Sequence, residues 1–233
     1  MNIEIFIPCF NEELNIEKLF NSWLDVLDKT KGYNLKIIFI DNGSSDSTNS
    51  ILNSLIDENS KNLRLLVKKV NTGYGDGILY GIKNSNAEYV GWAHADLQFD
   101  PVIIINKLNS VFVYMKKEKF ILTGKRLNRN IFDIFFTKLM TFVVFLFTTI
   151  WITDINAQPK IFSKNLLTKF ENPPRNFNLD LYTLLTAKKN NYIFDSIDVN
   201  YNDRKYGEAK GGGTLKGKYN LIIQVLKFLL FKK

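Results

Sequence analysis

Short apolar runs alternate with longer stretches whose apolar positions recur every three or four residues, and this rhythm holds through about the first half of the chain. Ile3 to Phe10 is an almost continuous apolar block closed by a Pro-Cys-Phe-Asn turn, the signature of a buried strand. Ile16, Leu19, Phe20, Trp23, Leu24 and Leu27 then line one face of a helix. Asn11 is its expected N-cap, and Glu12 and Glu13 stand where the helix dipole favours acids. Leu35–Ile40 reads as a second buried strand, and Asn42-Gly-Ser-Ser-Asp-Ser as a turn into a helix carrying Ile51, Leu52, Leu55 and Ile56. Asp46 and Thr48 are helix-start residues there. Leu63–Val67 predicts a third strand, Asn71–Gly77 a glycine-rich loop before a short helix, and Tyr89–Ala93 a fourth strand. Pro101 opens another helix, with Val102, Ile105, Leu108, Val111 and Phe112 on one side. Strand-helix alternation of this kind predicts an α/β fold with a mainly parallel sheet flanked by helices.

Beyond Gly124 the rhythm weakens. An apolar helix is expected over Ile131–Ile152, a short strand near Lys160–Phe162, a helix near Leu179–Lys188 and a strand over Tyr192–Val199. The reading is one domain over 1–233, with residues 1–124 as the ligand-binding half and 125–233 as a second half. The uncharged part of the apolar helix, Leu139–Ile152, would reach about 21 Å, short of the roughly 30 Å hydrocarbon core of a bilayer. That helix and the Leu-, Ile- and Phe-rich stretch from Tyr219 onward, edged by Lys216, Lys218, Lys227, Lys232 and Lys233, fit either a membrane interface or a core with a basic rim. Met1–Glu12 has no basic leader and carries Glu4, so it reads as a strand and not a signal peptide.

Composition narrows the chemistry. The single cysteine excludes an internal disulfide framework and Cys-cluster zinc sites, and the single histidine excludes His-rich metal sites. Cys9 reads as a small buried residue. The net charge of +8 suits an anionic partner such as a phosphorylated substrate, a membrane surface or nucleic acid. No RNP-like motif accompanies the aromatic residues, so nucleic acid is not the expected partner.

In open parallel sheets the ligand site lies beyond the carboxyl ends of the strands. Asn11-Glu12, Asp41-Asn42, Asn71-Thr72 and Asp96–Gln98 all fall at that end. Asp41 can accept hydrogen bonds from a base or ribose edge, or simply form the turn before Asn-Gly. Asp96 and Gln98, two apart, share a face with His94, and the three can meet one divalent ion, with the imidazole favouring Mn²⁺ over Mg²⁺. His94 can equally be a packed polar residue. The loop around Gly73 either gives a nucleotide's backbone room or is an ordinary turn. Arg126, Arg204, Lys205 and Lys210 come from separate late segments and can converge on phosphates or remain surface charge.

Taken in order, Ile-Pro-Cys-Phe-Asn-Glu-Glu (7–13), Ile-Asp-Asn-Gly-Ser-Ser-Asp-Ser-Thr (40–48), Asn-Thr-Gly-Tyr-Gly (71–75), His-Ala-Asp-Leu-Gln-Phe-Asp-Pro (94–101), Thr-Gly-Lys-Arg (123–126), Asp-Ile-Asn-Ala-Gln-Pro-Lys-Ile-Phe (154–162) and Asp-Arg-Lys-Tyr-Gly-Glu-Ala-Lys (203–210) resemble the inverting family-2 glycosyltransferases of the GT-A fold, in the dolichol- or polyprenyl-phosphate mannose synthase-like branch. The resemblance implies that Pro8, Phe10, Glu12, Asn71 and Gly73 line the donor pocket and that Asp41 holds the base. It implies that Asp96 and Gln98 contact a divalent cation, Mn²⁺ or Mg²⁺, on the donor diphosphate. Arg126, Gln158, Arg204 and Lys210 would hold phosphate groups or the acceptor. Three positions depart from the family's pattern: His94 replaces the first Asp of Asp-x-Asp, Asn42 replaces the second Asp of Asp-Asp-Gly-Ser, and Ala209 replaces a Ser.

The implied partners are a UDP- or GDP-linked sugar and a polyprenyl phosphate, with the protein peripheral on the cytoplasmic face of a membrane. A phosphate nucleophile is already anionic and needs positioning only. Transfer to a saccharide hydroxyl, in surface polysaccharide synthesis, would instead need a carboxylate base, for which Asp154 and Asp180 are the candidates. A basic nucleic-acid-binding module and a non-catalytic homologue weakened at His94 are the remaining alternatives.

Overall fold

The computed structural model describes residues 1–59, 61–115, 119–200 and 214–231. The blocks of the sequence become β1 (Asn2–Cys9), α1 (Ile16–Lys29), β2 (Asn34–Asn42), α2 (Thr48–Asn59), β3 (Leu63–Lys68), α3 (Tyr74–Lys83), β4 (Tyr89–Trp92) and α4 (Ile103–Met115). They continue as β5 (Phe120–Leu127), α5 (Ile131–Thr148), β6 (Lys160–Ser163), a 3-10 helix (Lys164–Lys169), α6 (Asn178–Lys189), β7 (Ile193–Asn200) and α7 (Leu215–Phe231).

Among the described residues seven strands form one sheet in the order β3-β2-β1-β4-β6-β5-β7. β6 runs antiparallel to both neighbours, and every other pairing is parallel. The carboxyl ends of the parallel strands therefore share one edge, and β6 starts there: Lys160 stands opposite Trp92 and Thr123.

Period-two alternation splits the strands between two cores. Ile3, Ile5, Ile7, Ile37 and Phe39 pack beneath Leu19, Phe20 and Trp23 of α1 and Ile104 and Leu108 of α4. Phe6, Ile38, Ile40, Trp92 and Phe162 face the other way, onto Ile78 and Ile82 of α3, Leu181 and Leu185 of α6, Met140 and Val144 of α5 and Val225 of α7.

Two local expectations differ. α1 begins at Ile16 with Asn15 at the N-cap, not Asn11. Asn11 has φ of 52° and uses its side-chain oxygen on the Ser45 N–H instead, at 2.9 Å, tying the β1 turn to the β2 turn. The apolar helix ends at Thr148, because Thr149 adopts a left-handed conformation (φ 58°) and its N–H closes onto the Phe145 carbonyl. Only Met140, Thr141 and Val144 of α5 are buried. Ile131 is 83% and Phe132 72% exposed, and Phe135, Phe142, Leu146 and the following Trp151 also face outward. α7 packs beside α5, and Lys218 pairs with Asp133 and lies over the Phe136 ring.

Candidate active site

The shared edge gathers the predicted donor residues. β1 delivers Pro8 and, in the turn after it, Phe10 and Glu12; β2 delivers Asp41; the loop after β3 brings Asn71 and Gly73; the loop after β4 brings His94, Asp96 and Gln98. Glu12 is buried and works locally: its carbonyl accepts the first N–H groups before α1, its carboxylate takes the Asn15 amide at 2.9 Å, and its own N–H donates to the Thr48 hydroxyl at 2.8 Å. Asp41, also buried, accepts the Ser44 N–H on one oxygen and the Asn49 amide on the other, each at 2.9 Å. It forms the turn and is held at the strand end as one rigid unit.

Asn42 is a working departure from the family's pattern. Its amide donates to the Gly73 carbonyl at 3.0 Å and so fastens the glycine-rich loop to β2. Asn71 folds back to accept the Gly73 N–H at 2.9 Å. Gly73 has φ of 127°, and a Cβ there would run into the Arg175 carbonyl, so glycine is required both by backbone conformation and by space. The Asp76 N–H donates to that same carbonyl at 2.9 Å, which locks the start of α3 to the loop before α6.

The Asp76 carboxylate meets Lys68 and Thr72 and lies 3.4 Å from Arg175. Burial alone would raise its pKa; hydrogen bonds from Lys68 and Thr72 and the charges of Lys68 and Arg175 together outweigh that and hold the carboxyl below its ordinary value of 3.8. A depressed folded-state pKa gives stability that is full above pH 3.8 and vanishes as the pH falls through the lower folded value. Asp76→Asn is therefore expected to lower Tm at pH 7 by about 2–4 °C. The gap to the wild type should close below about pH 3.8, which melts across a pH series would reveal; a gap that persists in acid would refute the assignment.

After β4, Leu97 takes φ of 55° and Asp96 Oδ1 accepts the Gln98 N–H at 3.2 Å, so the peptide turns sharply with Asp96 nearly buried. His94 Nδ1 stands 3.6 Å from Asp96 Oδ2, too far for a hydrogen bond and close to the separation of two ligands on one cation. His94 Nε2 is buried with no hydrogen-bond partner. The Tyr74 ring holds the imidazole edge-on at 5.4 Å and itself stacks on Phe177 at 4.8 Å. No group of three or more His, Cys, Asp and Glu side chains gathers among the described residues. The imidazole of His94 and the carboxylate of Asp96 are of the donor types that fit a divalent cation.

The second half contributes two ionic clusters. In the first, Arg126 at the end of β5 closes on Asp154: its backbone N–H donates to Oδ2 at 2.6 Å and its Nε to Oδ1 at 2.7 Å, with Nη2 on the same oxygen. Arg129 Nη1 reaches that oxygen at 3.5 Å. In the second, Asp180 at the start of α6 accepts the Trp92 indole N–H at 2.8 Å, the Gln158 amide at 3.3 Å and the Lys160 ammonium at 3.1 Å. Lys160 and Asp180 are 0% and 1% exposed. Desolvation pushes the Lys160 pKa down, and Asp180 pulls it back up. Gln158 also reaches the Tyr74 hydroxyl at 3.3 Å, so this buried cluster supports the ring that faces His94. Neither Asp154 nor Asp180 is placed as an open base: arginines occupy the first and the second lies inside the protein. Arg204 and Lys210 lie outside the described residues.

Sequence reasoning missed Tyr74, Phe177, Arg129 and Lys160. Lys160 carried a signal, a cation inside the otherwise apolar Pro-Lys-Ile-Phe strand, and Tyr74 stands within the Asn-Thr-Gly-Tyr-Gly segment. Phe177 and Arg129 look like ordinary aromatic and basic positions until the fold brings them together.

A mainly parallel seven-stranded sheet with one antiparallel strand, and a polar cluster at the carboxyl ends that includes a candidate cation site, define a GT-A nucleotide-sugar fold. The glucosyl-3-phosphoglycerate synthase of Mycobacterium tuberculosis, solved with Mn²⁺, UDP and glucosyl-3-phosphoglycerate, superposes with a TM-score of 0.74 at 15% identity, over 98% of this chain and 78% of that one. The model of glycosyl transferase family 2 matches residues 4–173, and the chain belongs to that family. A dolichyl-phosphate beta-glucosyltransferase of Dictyostelium discoideum is 32% identical over 99 residues, 40% of this chain and 30% of that protein. A bactoprenol glucosyl transferase of Shigella phage SfX is 32% identical over 108 residues, 46% of this chain and 34% of that protein. The matched region is about a third of the length of either relative.

Proposed function

We propose that the protein transfers a sugar, with inversion, from a nucleotide-diphosphate sugar to a polyprenyl phosphate at a membrane surface. The observation that carries this reading is the meeting of the arginine cluster, Arg126 and Arg129, with the outward apolar helix α5, whose first turn accepts a hydrogen bond from Arg129. The His94–Asp96 pair follows β4 at the same strand-end edge of the sheet. Residues 1–124 form the donor half and 125–233 the acceptor half. The names of the relatives, a dolichyl-phosphate and a bactoprenol glucosyltransferase, support a polyprenyl phosphate as acceptor.

His94, Asp96 and Gln98 would hold a divalent cation, Mn²⁺ or Mg²⁺. Such an ion supplies positive charge against the negative charge that gathers on a departing nucleotide diphosphate. Asp41 would orient the base of a UDP- or GDP-sugar from its fixed rotamer, and Pro8, Phe10, Asn71 and Gly73 would bound the pocket. Arg126, with Arg204 and Lys210, would neutralise and aim the acceptor phosphate, whose oxygen attacks the anomeric carbon without a general base. The engagement of Asp154 and Asp180 supports this acceptor over a saccharide hydroxyl, which would need one of them as a base. α5 is long and apolar enough by composition to cross a membrane. With Asp133 and Lys138 in it and Met140, Thr141 and Val144 packed on the core, it is read as lying in the interface, its lipid-facing side beside the acceptor phosphate.

Incubation with Mn²⁺ or Mg²⁺, farnesyl phosphate and a panel of UDP- and GDP-sugars should give one sugar-lipid product together with stoichiometric nucleotide diphosphate. Nucleotide release with a saccharide acceptor and none with the lipid phosphate would overturn the acceptor assignment and leave the donor site standing.

A further inference from the structure

Trp23 Nε1 on α1 and His94 Nε2 after β4 are both buried without a hydrogen-bond partner among the described residues, and the two side chains line one small cavity. Trp23 is only 1% exposed. Leu19, Leu97, Phe99 and Pro101 make most of the remaining wall apolar, and Ser22 adds one hydroxyl. The cavity has room for one water molecule, about 10 Å³. Two unpaired nitrogens in such a place cost free energy that a single bridging water would recover.

The donor and acceptor inventory of the cavity suits that water. An indole N–H only donates. The Ser22 hydroxyl gives its hydrogen to the Leu19 carbonyl at 2.7 Å, so its oxygen is left to accept. A water that accepts from Trp23 and donates to Ser22 has one hydrogen remaining. Whether His94 Nε2 takes it depends on the other ring nitrogen. Nδ1 stands 3.6 Å from Asp96 Oδ2, beyond a hydrogen bond but well within reach of the charge. A carboxylate offers only lone pairs, so a bare Nδ1 would be repelled and a proton on Nδ1 is favoured. Nε2 is then bare, and it needs the donor that the water supplies.

We propose that Trp23 and Ser22 are positioning residues for His94: they hold one ordered water that donates to Nε2, which keeps the imidazole proton on Nδ1, facing Asp96. The bridge stands on this geometry alone, and only its bearing on a cation rests on the function proposed above. A water donates to a bare Nε2 and accepts from a protonated one, so His94 keeps a partner there in either tautomer.

The chain has one histidine, so a long-range proton–nitrogen correlation spectrum of the full, nitrogen-15-labelled protein reports His94 alone. In mildly alkaline, cation-free buffer it should show Nδ1 protonated and Nε2 bare, the reverse of what a free imidazole prefers. Cross-relaxation from water should reach the indole N–H that is lost in Trp23→Phe. Trp23→Phe keeps a ring and removes the N–H; Ser22→Ala removes the acceptor and leaves the core intact. Both should turn the single tautomer into a mixture. A protonated Nε2 in the wild type would overturn the proposal, as would a tautomer that neither variant moves. Adding Mg²⁺ and UDP tests the cation reading separately. A shift of the proton to Nε2 would put His94 on the ion; an unchanged spectrum would remove His94 from the cation site and leave the bridge standing.

Discussion

Asp180→Leu is expected to lower the stability of the fold by about 3–5 kcal/mol in urea titration, the usual cost of leaving one partner of a buried ion pair alone. The Lys160 ammonium would remain fully enclosed with its carboxylate gone, and it already titrates below its ordinary range because of burial. The Trp92 indole and the Gln158 amide would lose an acceptor in the same stroke. The Lys160→Met/Asp180→Leu double variant should be more stable than Asp180→Leu, because the stranded charge goes with its partner. A single variant within about 1 kcal/mol of wild type, or a double variant worse than the single, would show that the pair does not anchor this part of the sheet. Such anchoring has a functional consequence: Gln158, held by Asp180, also holds the Tyr74 hydroxyl beside His94.

Asp96→Asn is the substitution with the largest expected effect on turnover, a loss of about 100- to 1,000-fold, the range for removing one preorganised electrostatic group from a transfer site. The fold should survive it. Asparagine keeps an oxygen to accept the Gln98 N–H, so the turn after β4 has what it needs. Melting temperature and turnover measured on the same preparation separate the two effects. His94→Asp is the companion variant: replacing an imidazole by a carboxylate should shift the ratio of Mg²⁺- to Mn²⁺-supported turnover toward Mg²⁺. A loss below tenfold in Asp96→Asn would remove Asp96 from the reaction.

The first half of the chain was legible because its signals are local. A buried parallel strand is a run of Ile, Val and Phe, its partner helix is a 3.6-residue rhythm, and the polar residue after each run marks the ligand edge. Asp41, Asn71, His94 and Asp96 could therefore be placed on one edge before any coordinate was known. The second half was not legible in the same way. β6 has only four residues, enters antiparallel and is flanked by long connections, so neither its direction nor its neighbours follow from periodicity. The roles of Asp154 and Asp180 depended on it. As sequence, each is a carboxylate near the site and hence a candidate base. In the fold, one is held by two arginines and the other is sealed beneath the sheet against Lys160.

The sequence by itself determined the α/β class, the gathering of polar residues at the strand ends, the histidine two residues before Asp96 and the presence of a long apolar segment, because each is written in residue type and spacing along the chain. The tertiary structure decided which polar groups face each other across 28 and 88 positions, as in Arg126 with Asp154 and Trp92 with Asp180, and which face of α5 is left to the outside. Hydrophobic periodicity is a short-range property of the chain. Partnership between buried charges is set by where the strands and helices carry them, and no local pattern encodes it.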